Sequence, residues 1–489
     1  MSELIAKQEL KSLTDFQKEI HTAEDNSERI SSLFYRTFVK STWHSNILAP
    51  LRSSKDGGDV LYEVSTKFHF LFNTYFKYKL PCIRVKPQYK DKIRIRWSHN
   101  PGTAPMIQGV FTENDDPFHS MDHVWYDIYF QFFQKSGSGK RRLHNQGIGN
   151  VQCLENWNTF LPEYPINVDQ PWFYSMDHSF AFPILYKNSQ TRAVHRYTFR
   201  KSYFDFLCME MLQESGVWAP VTQKQKRYVD IYGSSKFKIP ELWGKYAYVS
   251  PNELKFFRCR ERPPMYIRDI VVCDVENPNS YNSIAKIPLQ CKNPCLAMFW
   301  VAENQTSVKN HYFSNYTTNE KDVYEGWDPI HKTSLLYGTN AKFADMDSDH
   351  FSIAEPRKHA LSAPKEAGYH GAFFAWDCFG INAEVGICFD GKNAFMKCKL
   401  KNTDLYKIPN KDNTFEDKDT NQSDDDESSD KETPKISLPK EKRNAIVASS
   451  NPSDPEFITR VRLLVMKKFT ITKEEAEEGK GAIYQFTVQ

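Results

Sequence analysis

Apolar positions recur along this chain in two textures. Over residues 1–25, Leu10, Leu13, Phe16 and Ile20 return at steps of three and four with Lys and Glu between them, the period of an amphipathic helix. Such a stripe requires a partner surface, either the chain's own fold or a neighbouring molecule. From about residue 58 the pattern changes to short runs of β-branched and aromatic residues broken by Pro, Gly, Asn and Asp. VLYEVSTKFHFLFNTYFKYKLP (60–81), KIRIRW (92–97), MIQGVF (106–111), VWYDIYFQFF (124–133), FAFPILY (180–186) and AVHRYTF (193–199) each predict a strand. In KIRIRW, Ile93, Ile95 and Trp97 share one face while Arg94 and Arg96 share the other, the alternation of a sheet with one wet side.

FDFLCMEMLQESG (204–216) predicts a short helix ended by Gly216, followed by a polar connection to about residue 260, where the domain boundary falls. Strand texture then returns in YIRDIVVCDV (266–275), KIPLQC (286–291), CLAMFWVAEN (295–304), GAFFAWDCF (371–379), AEVGICFD (383–390), AFMKCKL (394–400), ITRVRLLVMKKFTIT (458–472) and AIYQFTV (482–488). Many short strands punctuated by turn residues, twice over, indicate an all-β chain of two antiparallel sandwiches rather than alternating β-α units. The organisation expected is an N-terminal helical extension over 1–57, a first sandwich with its linker over 58–260 and a second over 261–489. Residues 409–445 are polar and acidic with few aliphatic side chains, so they cannot bury enough surface to order themselves and form a disordered insertion between strands.

With 489 residues the chain can fill two cores without disulfide staples, and 35 Phe, 25 Tyr and 10 Trp supply those cores and any interface with aromatic rings. A net charge of +3 gives no basic field to draw in nucleic acid. The apolar run CLAMFWVA (295–302) is far shorter than a bilayer span, and the segment after Met1 lacks a leader's basic and apolar regions. Ten cysteines include one close pair, Cys291 and Cys295, which is too few for a spaced zinc set; they read as reduced, mostly buried thiols. The Asn-x-Ser/Thr triplets at Asn304, Asn315 and Asn421 read as chance matches.

Four stretches raise catalytic or ligand chemistry. PWFYSMDHSFAFPILYKN (171–188) brings Ser175, Asp177 and His178 within four positions, but neighbouring Asp and His side chains on an extended chain point to opposite faces, and no Gly-x-Ser-x-Gly elbow exposes the serine. A polar bend between two strands accounts for them. SMDH (120–123) and DMDSDH (345–350) lack a spaced His pair or the offsets of a calcium loop. SGSGKRR (136–142) has Gln134 where a phosphate loop needs its first Gly and Arg141 where it needs Ser or Thr. No catalytic, cofactor or metal residue is assigned, which favours a structural or binding role.

The order of the strand blocks carries a resemblance. YKLPCIRV (78–85), IRWSHNPGTAPMIQGVFTEND (95–115) and LPEYPINVDQPWFYSMDHSFAFPILY (161–186), followed by CLAMFWVAEN (295–304), the long connection 305–370 and YHGAFFAWDCFGINAEVGICFD (369–390), resemble the double jelly-roll major capsid proteins of nucleocytoplasmic large DNA viruses. AWDCFGINAEVGICFD and the acidic insertion depart from the family's usual pattern, as in a divergent member. The resemblance implies two consecutive eight-stranded jelly rolls with short helices in their loops, and no enzyme activity or cofactor. It further implies a homotrimeric capsomer of pseudo-hexagonal outline tiling an icosahedral virion shell assembled in the host cytoplasm. The partners implied are neighbouring capsomers and minor capsid and penton proteins, with indirect contact to an inner membrane and none to nucleic acid. A minor capsid or scaffold protein of the same fold, or a β-sandwich carbohydrate-binding protein, is the alternative. In NHYFSNYTTNEKDVYEGWDP (310–329), Tyr312, Phe313, Tyr316, Tyr324 and Trp327 are large rings in a polar loop; they serve subunit contact or fold back onto their own sandwich. The stripe of Leu10, Leu13, Phe16 and Ile20 is the candidate inner-surface helix.

Overall fold

The computed structural model describes residues 46–488 apart from 57, 135–142, 144, 150, 177–179, 188–191, 249–253, 255–264, 338–339, 376–377, 379–385, 390–393, 402–454 and 475–482. Every named strand pairing is antiparallel. In the first roll, one main sheet runs Asn46–Pro50, Glu241–Ala247, Phe70–Leu80, Tyr164–Asp169, and the other runs Arg52–Asp56, Asp59–Glu63, Ala193–Phe199, Met106–Glu113, Asp116–Asp122. Two small three-stranded sheets extend it, one of them Trp218–Pro220, Leu207–Leu212, Ile93–Trp97. In the second roll, Met265–Val272, Phe457–Glu474, Cys295–Asn304 and Tyr369–Phe373 pair in that order with Ile483–Val488 beside Phe457–Glu474. The facing sheet runs Ile284–Leu289, Ala394–Leu400, Ile330–Tyr337, Asn340–Asp347.

Alternation decides which side of each strand is buried. Along Tyr75–Leu80, Phe76, Tyr78 and Leu80 are buried while Lys77 and Lys79 face solvent, and Ile284–Leu289 alternates without exception. Cys295–Asn304 breaks the rule, because all ten of its residues are buried. Met298, Trp300 and Ala302 fill the core of the second roll, while Leu296, Phe299 and Val301 belong to the large core that continues into the first. Phe457–Glu474 divides likewise, with Val461, Leu463 and Val465 turned to its own roll and Leu464, Met466 and Phe469 to the other. A sheet covered on both faces reads as a continuous apolar run, as CLAMFWVA does.

Several expectations are corrected. VWYDIYFQFF forms the α-helix His123–Phe132, started by Asp122, whose side chain accepts from the Trp125 N–H at 3.0 Å. Val124, Trp125, Tyr126, Asp127, Ile128, Phe130 and Phe132 are all buried, so no amphipathic period distinguishes it from a buried strand. FDFLCMEMLQESG contains the strand Leu207–Leu212, paired with Ile93–Trp97; this pairing overrides the helical preference of its Leu, Met and Glu. FAFPILY has one bridging residue, Phe182, before Pro183 and the 3-10 turn Ile184–Tyr186. Ladder pairing begins at Asn46, ahead of the expected boundary at 58, and the polar connection to 260 contributes the central strand Glu241–Ala247. The connection 305–370 likewise holds two strands, Ile330–Tyr337 and Asn340–Asp347.

Candidate functional site

The most elaborate site in the molecule is the seam where the two rolls meet, built around the helix His123–Phe132 of the first roll. Phe299 from the second roll is fully buried against it, with ring centroids 4.9 Å from Phe132, 5.8 Å from Phe133 and 6.0 Å from Trp125. Phe373 closes the far side at 5.7 Å. Gly371 permits this approach, because a Cβ there would stand 3.2 Å from the rings of both Phe132 and Phe299.

Second-roll groups hold both ends of the helix. At its start, Asp122 receives Arg462, whose Nε donates at 3.1 Å and whose other arm reaches Asp274 at 2.6 Å. At its end, Ser362 donates its hydroxyl to the Gln131 carbonyl at 2.6 Å and its N–H to the Phe132 carbonyl at 3.2 Å, satisfying carbonyls the helix leaves open. Beside it, His123 meets Glu303 at 3.2 Å and Arg460 donates to Glu303 at 3.1 Å. Burial would raise the Glu303 carboxyl, but His123 and Arg460 outweigh it and bring it down to about 2. Burial would likewise raise Asp122, and Arg462 instead holds it below its usual range. These are paired charges, so removing one partner leaves the other buried alone.

The loop after Cys295–Asn304 completes the seam by docking on the first roll. Tyr312 donates to Glu210 at 2.9 Å, and the same fully buried carboxylate receives Arg94 Nε at 2.7 Å and pairs with Lys321 at 3.2 Å. Arg94 lies between the rings of Trp157 and Trp218, at 4.6 and 4.4 Å. Phe313 sits under the Arg200 guanidinium at 3.6 Å, and Tyr316 donates to Asp127 of the helix at 2.8 Å. Tyr312, Phe313 and Tyr316 are therefore buried anchors within one chain, which removes them from the five rings considered for subunit contact. Tyr324 and Trp327 remain 44% and 64% exposed. Leu10, Leu13, Phe16 and Ile20 lie outside the described residues.

A further polar contact crosses the seam at His99. Its Nδ1 faces Glu155 at 2.9 Å and its Nε2 faces Glu366 at 3.0 Å, with the Tyr324 hydroxyl 3.4 Å from Nδ1. Burial alone would lower this imidazole, but Glu366 and Glu155 override it and hold the ring protonated well above its ordinary range.

Two of the four stretches weighed for catalysis have other tasks among the described residues. Ser175 lies in the four-residue helix Phe173–Met176, and Asp177 and His178 fall outside the described residues, as do 136–142. SMDH at 120–123 supplies the helix cap and the Glu303 partner described above. From DMDSDH, Ser348 joins His370 at 2.7 Å, and Asp328 joins the same ring at 2.9 Å, yet both address Nε2, while Nδ1 faces the Trp300 carbonyl at 3.3 Å. A nucleophilic relay needs serine and carboxylate on opposite ring nitrogens, so this buried trio is a structural bond cluster. Among the described residues no group of three or more His, Cys, Asp and Glu side chains is placed to hold a metal ion, and no helix is long and apolar enough to cross a membrane. Sequence reasoning missed Arg460, Arg462, Glu210 and Glu303. Their signal was charge inside apolar strand runs, as in ITRVRLLV, where a solvent-facing position would be unremarkable.

Residues 261–423 match the family model described as large eukaryotic DNA virus major capsid protein. The major capsid protein of Wiseana iridescent virus is 26% identical over 381 residues, covering 70% of this chain and 73% of the relative. That of lymphocystis disease virus 1 is 24% identical over 401 residues, covering 76% and 82%. Among solved structures, the Faustovirus major capsid protein aligns with a TM-score of 0.60 at 7% identity over 88% of this chain and 90% of that one. A chain of the PBCV-1 virus capsid aligns at 0.59 and 11% over 87% and 94%. Two rolls in this strand order show the double jelly-roll fold, and the family-model match over residues 261–423 together with relatives aligned across both rolls makes the chain similar to the major capsid proteins of large eukaryotic DNA viruses.

Proposed function

We propose that this capsid protein acts as a homotrimer in which three chains, each contributing two rolls, give a pseudo-hexagonal capsomer that tiles an icosahedral shell. The observation that carries the reading is the seam. Phe299, Arg462 and the docked 305–329 loop join two similar sandwiches into one block, so three copies supply six similar units around a closed ring. Tyr324 and Trp327, exposed on a loop anchored by its buried neighbours, are the rings offered to an adjoining subunit. Residues 1–25 carry the stripe of Leu10, Leu13, Phe16 and Ile20 toward the shell interior, for a minor capsid protein or a neighbouring capsomer. Penton proteins and indirect contact with an inner membrane complete the partners, and assembly takes place in the host cytoplasm without direct nucleic-acid contact. The test is the solution mass of purified protein by light scattering, with negative-stain images of the same peak. A species of three times the 57.1 kDa chain mass with a hexagonal outline is expected. A folded protein that stays monomeric at high concentration would overturn the reading.

A further inference from the structure

The capsid role leaves unused a group of thiols at one end of the second roll. Cys291 opens the turn between Ile284–Leu289 and Cys295–Asn304 and is buried, its Sγ directed at the Asn293 carbonyl at 3.3 Å. Cys295 and Ile387 exchange both backbone hydrogen bonds, at 2.8 and 2.9 Å, which lays the chain around Ile387 antiparallel to this turn. The next residue, Cys388, is exposed and directs its Sγ at the carbonyl of Lys292, the neighbour of Cys291, at 3.8 Å. The Tyr337 hydroxyl fixes the backbone there by donating to the Cys388 carbonyl at 2.6 Å. On the other side, the half-buried Cys273 meets the backbone of Gln290. Burial pushes the Cys291 thiol up, so it is a poor first nucleophile, whereas Cys388 is open to solvent.

We propose that Cys388 and Cys291 form an oxidation site at which a peroxide converts the two thiols to an intramolecular disulfide, tying the segment around Ile387 to the 291–295 turn. The Cys388 thiolate attacks one peroxide oxygen, giving a sulfenic acid and releasing hydroxide, which takes up a proton to become water. The Cys291 sulfur then displaces the hydroxyl from Cys388 as a second water, its own proton leaving with it. In balance, two thiols and one hydrogen peroxide give one disulfide and two waters. The pair is reduced in a thiol-rich compartment and closes when the assembled particle meets an oxidising one.

The full-length protein is treated with hydrogen peroxide, then alkylated and analysed by mass spectrometry and thermal unfolding. The expected result is loss of two hydrogens from the intact mass, a Cys291–Cys388 cross-linked peptide and a Tm higher by several degrees, all reversed by dithiothreitol. C388S abolishes the cross-link, whereas C273S keeps it; equal Tm values under reducing conditions show that both variants fold. Oxygen adducts on Cys388 without the cross-link, or a Cys273–Cys291 bond in its place, would overturn the proposal.

Discussion

Replacing Phe299 by alanine tests whether the two rolls share one core. The side chain is fully buried and ringed by Phe132, Phe373, Phe133 and Trp125 at 4.9–6.0 Å. Removing a buried Phe costs ~3–5 kcal/mol, with the larger values where the surroundings cannot collapse. Collapse is opposed here because the cavity walls belong to a capped helix on one side and a paired strand on the other. F299A should therefore lose about 4 kcal/mol, while F299L, which refills much of the space, should lose about 1–2 kcal/mol. With a urea slope of about 3 kcal/mol/M or more, the F299A midpoint falls by roughly 1.3 M or somewhat less. The assay is urea unfolding followed by tryptophan fluorescence and by hydrogen exchange of amides in both rolls. The first-roll helix should lose protection together with the second-roll strand that carries residue 299. A midpoint shift under about 0.3 M at unchanged slope, or loss of protection confined to the second roll, would refute the shared core.

Three further outcomes follow from the seam. E210A leaves Arg94 and Lys321 without their carboxylate and Tyr312 without its acceptor, costing ~1–3 kcal/mol because both cations keep partial access to water; limited proteolysis should then cut within 305–329, and an uncut loop at wild-type Tm would contradict the docking. His99 is raised in the folded state by Glu366 and Glu155 against its burial, so its contribution is full below the unfolded value of about 6.5 and is lost as pH rises through the higher folded value. The stability gap between wild type and H99Q, from urea midpoints between about pH 6 and 9, should accordingly narrow as pH rises, and a gap that widens would reverse the assignment. W327A removes a ring that is 64% exposed, so the Tm of the isolated chain should stay within about 1–2 °C while self-association by light scattering weakens; unchanged association would remove this ring from the contact surface.

What the chain discloses before folding is governed by how far each signal depends on local neighbours. Strands with one wet face, such as Ile93–Trp97 and Ile284–Leu289, are legible because alternation is written into consecutive residues. His123–Phe132 is not, since burial on every side erases the helical period, and its deciding cap, Asp122, precedes the apolar run without the Glu or Gln that would complete a capping box. Leu207–Leu212 fails for the opposite reason: its residues prefer helix, and the ladder that overrules them comes from a strand more than a hundred positions earlier. The aromatic loop 310–329 was legible as an interaction segment, but the same large rings serve equally inside and between chains. Only the placement of Glu210, Arg200 and Asp127 beneath it assigns Tyr312, Phe313 and Tyr316 to the inside. That assignment strengthens the case for the remaining two rings. Three buried anchors hold the loop's backbone, so in the proposed trimer Tyr324 and Trp327 would meet a partner with part of the entropy cost of ordering already met by folding.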